Sequence, residues 1–392
     1  MNTINENCNK FLFGMFAILP IIDSINGFLV NTYDVSLGTV YKMLLIAIII
    51  LKVFTVSNLS IKKFITTYHS IIFSIVYIIT SVGINLIISD LNPLWDMIIK
   101  LIFNIVLYYS LYYLLKNQYL DSHYMSKLLY MQSVIIILCL LIPFILRIGY
   151  YSYAGNLGYK GFFYSHNELN ATLLILFYYN INILYKKKDI QQIIITILLT
   201  ICLFLMSSKS SMIGCLVGWF FYILLTFKNK NIYLGKKQIL FALSFLCIIF
   251  IVLFPFVLNF FTRQIALFNN FSGNIISTIT SGRNLFVENA WTILSNDPYF
   301  IIKLFIGNGF ASISLIEMDL IDTFFYLGVI GVIILLYWLR KYITLVINHN
   351  NDFLRLIGIC IIFLFSFFTG HIVFTATAST YCIIYCLDNL FC

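Results

Sequence analysis

The chain has 392 residues, 61% of them hydrophobic and only 10% charged, with a net charge of +9 and a mean hydropathy of +0.97. Apolar runs of about twenty residues, enough to cross a hydrocarbon core of roughly 30 Å, recur from end to end; this excludes a soluble domain and reads as a multi-pass integral membrane protein. The basic residues are scattered between the runs, so the positive charge reads as membrane orientation and not as a nucleic-acid surface.

The first apolar run, 11–30, is too long for the core of a signal peptide and lacks a small-residue cleavage site, so it is expected to be the first span. Further spans are expected at 37–55, 68–88, 97–116, 128–147, 169–185, 189–206, 211–227, 238–257, 319–339, 353–369 and 372–388. The predicted fold is all-α: a polytopic helix bundle of about twelve transmembrane helices forming one domain, 1–392. With the N-terminus in the cytoplasm, sixteen of the 24 Lys and Arg fall on the inner side, which selects an N-in/C-in orientation. The nine cysteines lie mostly inside apolar runs without a CxxC pair, so neither disulfides nor zinc are expected, and no cofactor is called for.

On this orientation the outer side is poor in positive charge, and polar residues there become candidates for chemistry. Asp23, in "ILPIIDSINGFL" of the first span and the one candidate not on the outer side, is either a buried acid with a partner or a substrate contact. A short outer loop, 149–167, leads into "GFFYSHNELN", where His166, Asn167, Glu168 and Asn170 form either a capped helix start or a set of sugar and phosphate contacts. In "MSSKSSMIG", Lys209 stands among Ser207, Ser208, Ser210 and Ser211, as a snorkelling lysine or as part of an anion cradle.

The large outer loop, 258–318, is too aromatic for a solvated linker. Amphipathic segments reclining at the interface and packing over the bundle are expected there. It contains Arg263 and Arg283, and Arg283 heads a helix with an apolar stripe of Leu285, Phe286, Trp291 and Leu294, for which Ser281 or Asn284 is the expected cap. Each arginine either anchors the loop to headgroups or presents a planar fork to phosphate oxygens. "IEMDLIDTFFYLGVIG" brings Glu317, Asp319 and Asp322 to the start of the next span, as capping acids or as a source of a general base. His371 is a further polar residue beside the last spans.

Cations and carboxylates at one interface, without metal-ligand spacing, suit an anionic lipid-linked substrate and a nucleophile that must lose a proton. No Walker A, GxSxG or zinc motif occurs.

"SSKSSMIG", then "SGRN…W…P…LFIGNGF", then "EMDLIDTFFYLGVIG" together resemble the O-antigen polymerase/ligase superfamily, in particular its Wzy-type polymerases; "LPIIDSINGF" and "GFFYSHNELN" are similar to the same group. The resemblance covers about residues 17–335. It implies a metal-independent glycosyltransferase of the bacterial cytoplasmic membrane that joins undecaprenyl-pyrophosphate-linked repeat units at the outer face. The same pathway supplies a flippase and a chain-length regulator as partners. Carried over by position, Lys209 and Arg283 bind pyrophosphate, and Glu317 and Asp319 match the acidic start of the following span. Ligases of the superfamily carry a histidine where this chain has Glu317-Met318-Asp319, and the loop 258–318 contains none, which favours the polymerase branch. A ligase-type transferase, or a transporter of the same lipid-linked oligosaccharide, remains the alternative.

Overall fold

The computed structural model describes residues 2–57, 69–89, 95–153, 156–187, 189–228, 258, 261–262, 264–271, 273–309, 315–349, 353–370 and 372–388. They are nearly all α-helical. In chain order the elements are α1 (Asn2–Ala17), α2 (Leu19–Tyr33), α3 (Leu37–Ser57), α4 (His69–Ser89), α5 (Trp95–Lys116), α6 (Ser122–Ile145), the strands β1 (Tyr150–Tyr153) and β2 (Leu157–Gly161), α7 (His166–Lys187), α8 (Ile190–Leu205), α9 (Lys209–Lys228), α10 (Ile275–Thr280), α11 (Arg283–Ser295), α12 (Phe300–Ile306), α13 (Asp319–His349), α14 (Phe353–Thr369) and α15 (Ala376–Leu387).

A helix lies on eleven of the twelve predicted spans, the other, 238–257, falling outside the described residues. Their lengths and compositions are less uniform than hydropathy implied. Five described helices are long and apolar enough to cross a membrane; α1 and α2, bent by 42° at their junction, make a sixth if they count as one span. Pro20 near the start of α2 accounts for that bend, because it has no N–H to continue the ladder. The apolar parts of α4, α8, α14 and α15 are shorter, from 12 to 17 residues.

Helix α7 fails the test for the opposite reason: it is long but too polar for a lipid-facing span. Its residues from Leu169 to Asn182 are all buried, and it packs against α6, α8, α9, α14 and α15. A helix enclosed by protein can carry amides provided that they are paired. Asn180 meets that condition, donating to Ser133 Oγ at 2.7 Å and accepting from Gln192 Nε2 at 2.5 Å.

The expected all-α chain includes one exception. In the loop before α7, β1 and β2 pair as an antiparallel hairpin. Tyr150, Tyr151, Tyr153 and Tyr159 favour strand over helix here, and Tyr159, buried on β2, packs on Phe144 at the end of α6 and donates to Ile148 O at 2.7 Å.

Helix α13 is broken at Gly328, whose backbone (φ 65°, ψ −168°) is not helical. Phe325 O and Tyr326 O, just before the break, accept from Asn308 N at 2.8 Å and Gly309 N at 3.0 Å, and Leu327 O accepts from Tyr77. The segment after α12 is thus drawn against the break, and α4 secures it: Ser81 donates to Ile306 O and Asn85 to Gly307 O. Glycine is required on both sides of this crossing. A Cβ on Gly328 would stand 2.2 Å from Phe305 O, and one on Gly307 2.3 Å from Leu327 N. The carbonyls of Phe325, Tyr326 and Leu327 at the break thus have partners inside the protein, as buried backbone requires.

Candidate functional site

Helices α10, α11 and α12 occupy the large loop as short segments, as its aromatic composition predicted. The apolar stripe expected on α11 is divided between two environments. The buried side of the helix is Ala290 and Leu294, packed with Ile316, Met318 and Phe325, whereas Leu285, Phe286 and Trp291 are each about half exposed. The expected caps need correction. Ser281 and Gly282 are both left-handed, and the N–H of Gly282 returns to Ser277 O at 2.8 Å, so this pair terminates α10. Gly282 is the N-cap residue of α11 and offers no side chain, while Asn284 is engaged with Ser277 and Thr280.

This turn aims Arg283. Its Nη2 donates to Glu317 Oε2 at 2.7 Å, with the arginine side chain 15% exposed and the glutamate 40% exposed. Asn167 Nδ2, from the first turn of α7, reaches the same oxygen at 3.3 Å. Arg283 Nε is buried and has no acceptor among the described residues. An unmatched buried guanidinium N–H costs desolvation energy unless an acceptor completes it.

Lys209, the first residue of α9, donates from Nζ to Thr278 O at 2.6 Å and lies 3.4 Å from Ser281 Oγ. Its ammonium therefore grips the turn that launches Arg283, two residues before it. If the chain is the polymerase proposed below, Lys209→Ala should cut activity severely and Lys209→Arg should retain part of it, measured as chain polymerised per lipid-linked unit consumed. Equal activity in both variants would reduce Lys209 to an interfacial anchor.

The three carboxylates at the start of α13 do different work. Asp322 is buried and reaches backwards, as the acid of a capping box does: Oδ1 accepts from Ile316 N and Oδ2 from Met318 N, both at 2.8 Å. Asp319 is also buried, and its Oδ2 accepts from Ser366 Oγ and from the N–H groups of Ile372 and Val373 at 3.0 Å. Both acids tie backbone together. Glu317, between the two N–H groups that Asp322 holds, has a left-handed backbone with φ 66°. Such a conformation in a non-glycine residue needs its surroundings to enforce it. Gly370 completes the enforcement, because a Cβ there would lie 2.7 Å from the Glu317 carbonyl carbon. Glu317 is thus the one of the three whose side chain meets Arg283 and solvent.

The remaining candidates divide. Glu168 N lies 3.4 Å from Ser165 Oγ, so α7 has the capped start that was one of its two readings, while Asn167 on the same turn joins the Arg283–Glu317 pair. His166 packs edge-on against Tyr153 of the hairpin, with ring centroids 4.9 Å apart. Glu168 faces a different hollow, shared with Asp23. Asp23 does have a partner, Lys42 Nζ at 2.7 Å. Arg263 and His371 lie outside the described residues. Sequence reasoning passed over Lys42 and Gly370. A lysine five residues into the apolar run of α3 was the available signal for the first; nothing in the sequence marks the second.

Among the described residues, no three His, Cys, Asp or Glu side chains form a group able to hold a metal ion. The chain matches no protein-family model and no curated protein.

Proposed function

We propose that the chain is a polysaccharide polymerase: a metal-independent glycosyltransferase that joins undecaprenyl-pyrophosphate-linked repeat units at the outer face of the bacterial cytoplasmic membrane, in an N-in/C-in orientation. The observation that carries this reading is the Arg283–Glu317 pair. A guanidinium with a buried N–H that has no acceptor among the described residues stands 2.7 Å from a partly exposed carboxylate. The pair offers two functions that a transfer from pyrophosphate needs, an anion acceptor site and a base.

In the reaction, a hydroxyl oxygen of the acceptor sugar bonds to the anomeric carbon of the donor glycan. The bond from that carbon to the pyrophosphate oxygen breaks, and its electron pair leaves with undecaprenyl-pyrophosphate. Arg283 meets the charge developing on the leaving oxygen, and the hydroxyl proton passes to Glu317. Phosphate competes with Glu317 for Arg283, so arrival of the donor frees the carboxylate at the moment it is needed. Asp319 and Asp322 keep the Glu317 loop in place, Lys209 does the same for the Arg283 turn, and Asn167 holds the carboxylate from the side of α7.

The transporter reading predicts a different cell. Without this chain, a polymerase leaves single lipid-linked units on the outer leaflet, whereas a transporter leaves them on the inner leaflet. A membrane-impermeant lectin or glycosidase applied to spheroplasts of the deletion strain separates the two: inner-leaflet protection would overturn the polymerase.

A further inference from the structure

A cavity of about 310 Å³ lies beside the first turn of α7, walled by α2, α3, α5, α6 and α15 as well. Ligand pockets run from about 300 Å³ upward. The stripe Ser165, Glu168, Leu169 and Thr172 faces it, whereas Asn167 reaches Glu317. One helical turn therefore separates the cavity from the Arg283–Glu317 pair.

The polar lining includes Asp23, Lys42, Asp96, Lys100, Glu168 and Thr377. Lys42 Nζ bridges Asp23 at 2.7 Å and Thr377 Oγ1 at 2.5 Å, and Lys100 pairs with Asp96 at 2.6 Å. The cations are thus matched by acids, with Glu168 as a third carboxylate, and this balance does not favour an anion. Asp23 is 8% exposed, and its Oδ2 is buried without a hydrogen-bond donor among the described residues. A buried carboxylate oxygen without a donor is costly, and a side-chain shift that opens it to the adjoining cavity would let an occupant supply one. Phe163 and Tyr164 add aromatic surface to the same wall. Acceptors and donors in alternation, beside aromatic rings and without excess positive charge, fit a ligand rich in hydroxyls and carrying no net charge.

We propose that this cavity is a binding site for a neutral sugar of the lipid-linked glycan, with Asp23 Oδ2 accepting from a sugar hydroxyl. The assignment of the ligand to a glycan rests on the polymerase reading; the cavity's preference for a neutral polyol does not.

The test is direct binding without turnover, so it stands apart from the catalytic claim. The purified full-length chain in nanodiscs is titrated with glucose, galactose, mannose and N-acetylglucosamine, with galacturonate as the anionic comparison, and read by saturation-transfer NMR. At least one neutral sugar is expected to bind in preference to galacturonate. Asp23→Asn should weaken it at least about tenfold, as the loss of a charged hydrogen bond does. Thr39→Trp should block it by filling the cavity; this second variant leaves the Asp23–Lys42 pair intact. Glu317→Gln should leave binding unchanged, and each variant is checked for unaltered elution and Tm. Silence from every neutral sugar, or binding that survives Thr39→Trp, overturns the proposal. So does a sodium-dependent rise in Tm that Asp23→Asn removes, which would make the cavity an ion site. Sugar binding together with an active Arg283→Ala enzyme would instead retain the cavity and refute the catalytic pair.

Discussion

Replacing Arg283 with alanine is expected to abolish polymer and leave single lipid-linked repeat units at the outer face. The substitution removes the group on which both halves of the proposed chemistry turn. One preorganised donor aimed at developing charge is worth on the order of 10²–10³ in rate, and a guanidinium offering two such donors should exceed this. Lysine cannot restore the fork, so Arg283→Lys should recover little. The cost to folding should be small, because the arginine heads a short helix and its Nε has no acceptor among the described residues to lose. The measurement is the ladder of chain lengths on a gel together with the amount of unpolymerised lipid-linked unit. Long chains from Arg283→Ala would make the arginine a headgroup anchor.

Glu317→Gln should separate binding from turnover. The amide is nearly isosteric, so the loop held by Asp322 and Gly370 should keep its shape, but it cannot take the acceptor's proton. A loss of roughly 10²–10⁴ in kcat is expected. KM for the donor should fall, because the carboxylate that competes with pyrophosphate for Arg283 has gone. Glu317→Asp shortens the reach and should act between the two. A rise in KM with kcat unchanged would show Glu317 to be a binding group and move the search for the base elsewhere. Asp319 and Asp322 are poor substitutes, because both buried carboxylates already receive backbone or hydroxyl hydrogen bonds that bind the loops together.

The helices were legible because apolar runs and their polar breaks are written residue by residue, and the tight turn before Lys209 falls where it was predicted. Their environments were less legible. Hydropathy treats α7 as one more span, although it is enclosed by protein, and this shows only in the residues around Asn180 and Gln192. The acids at the start of α13 illustrate the limit for the site. Spacing places Asp319 and Asp322 on one face, yet they differ from Glu317 through a set of distant donors, at Ser366, Ile372 and Val373, and through a left-handed residue that no pattern announces. Ser281 was misread as a cap of α11 for a related reason: a serine between two helices can cap the second or terminate the first, and only backbone handedness decides.

The interruption of α13 at Gly328 has a mechanical consequence. An unbroken rod from 319 to 349 would carry every tilt of its distal half back to Glu317 as a lever. Here the short proximal part, 319–327, ends at the crossing with the segment after α12, which is itself secured to α4, while the longer distal part begins again beyond the glycine. A hinge at that joint would absorb swaying of the distal part as the bilayer thins or thickens, and the distance from Glu317 to Arg283 is then expected to be insulated from the lipid around it.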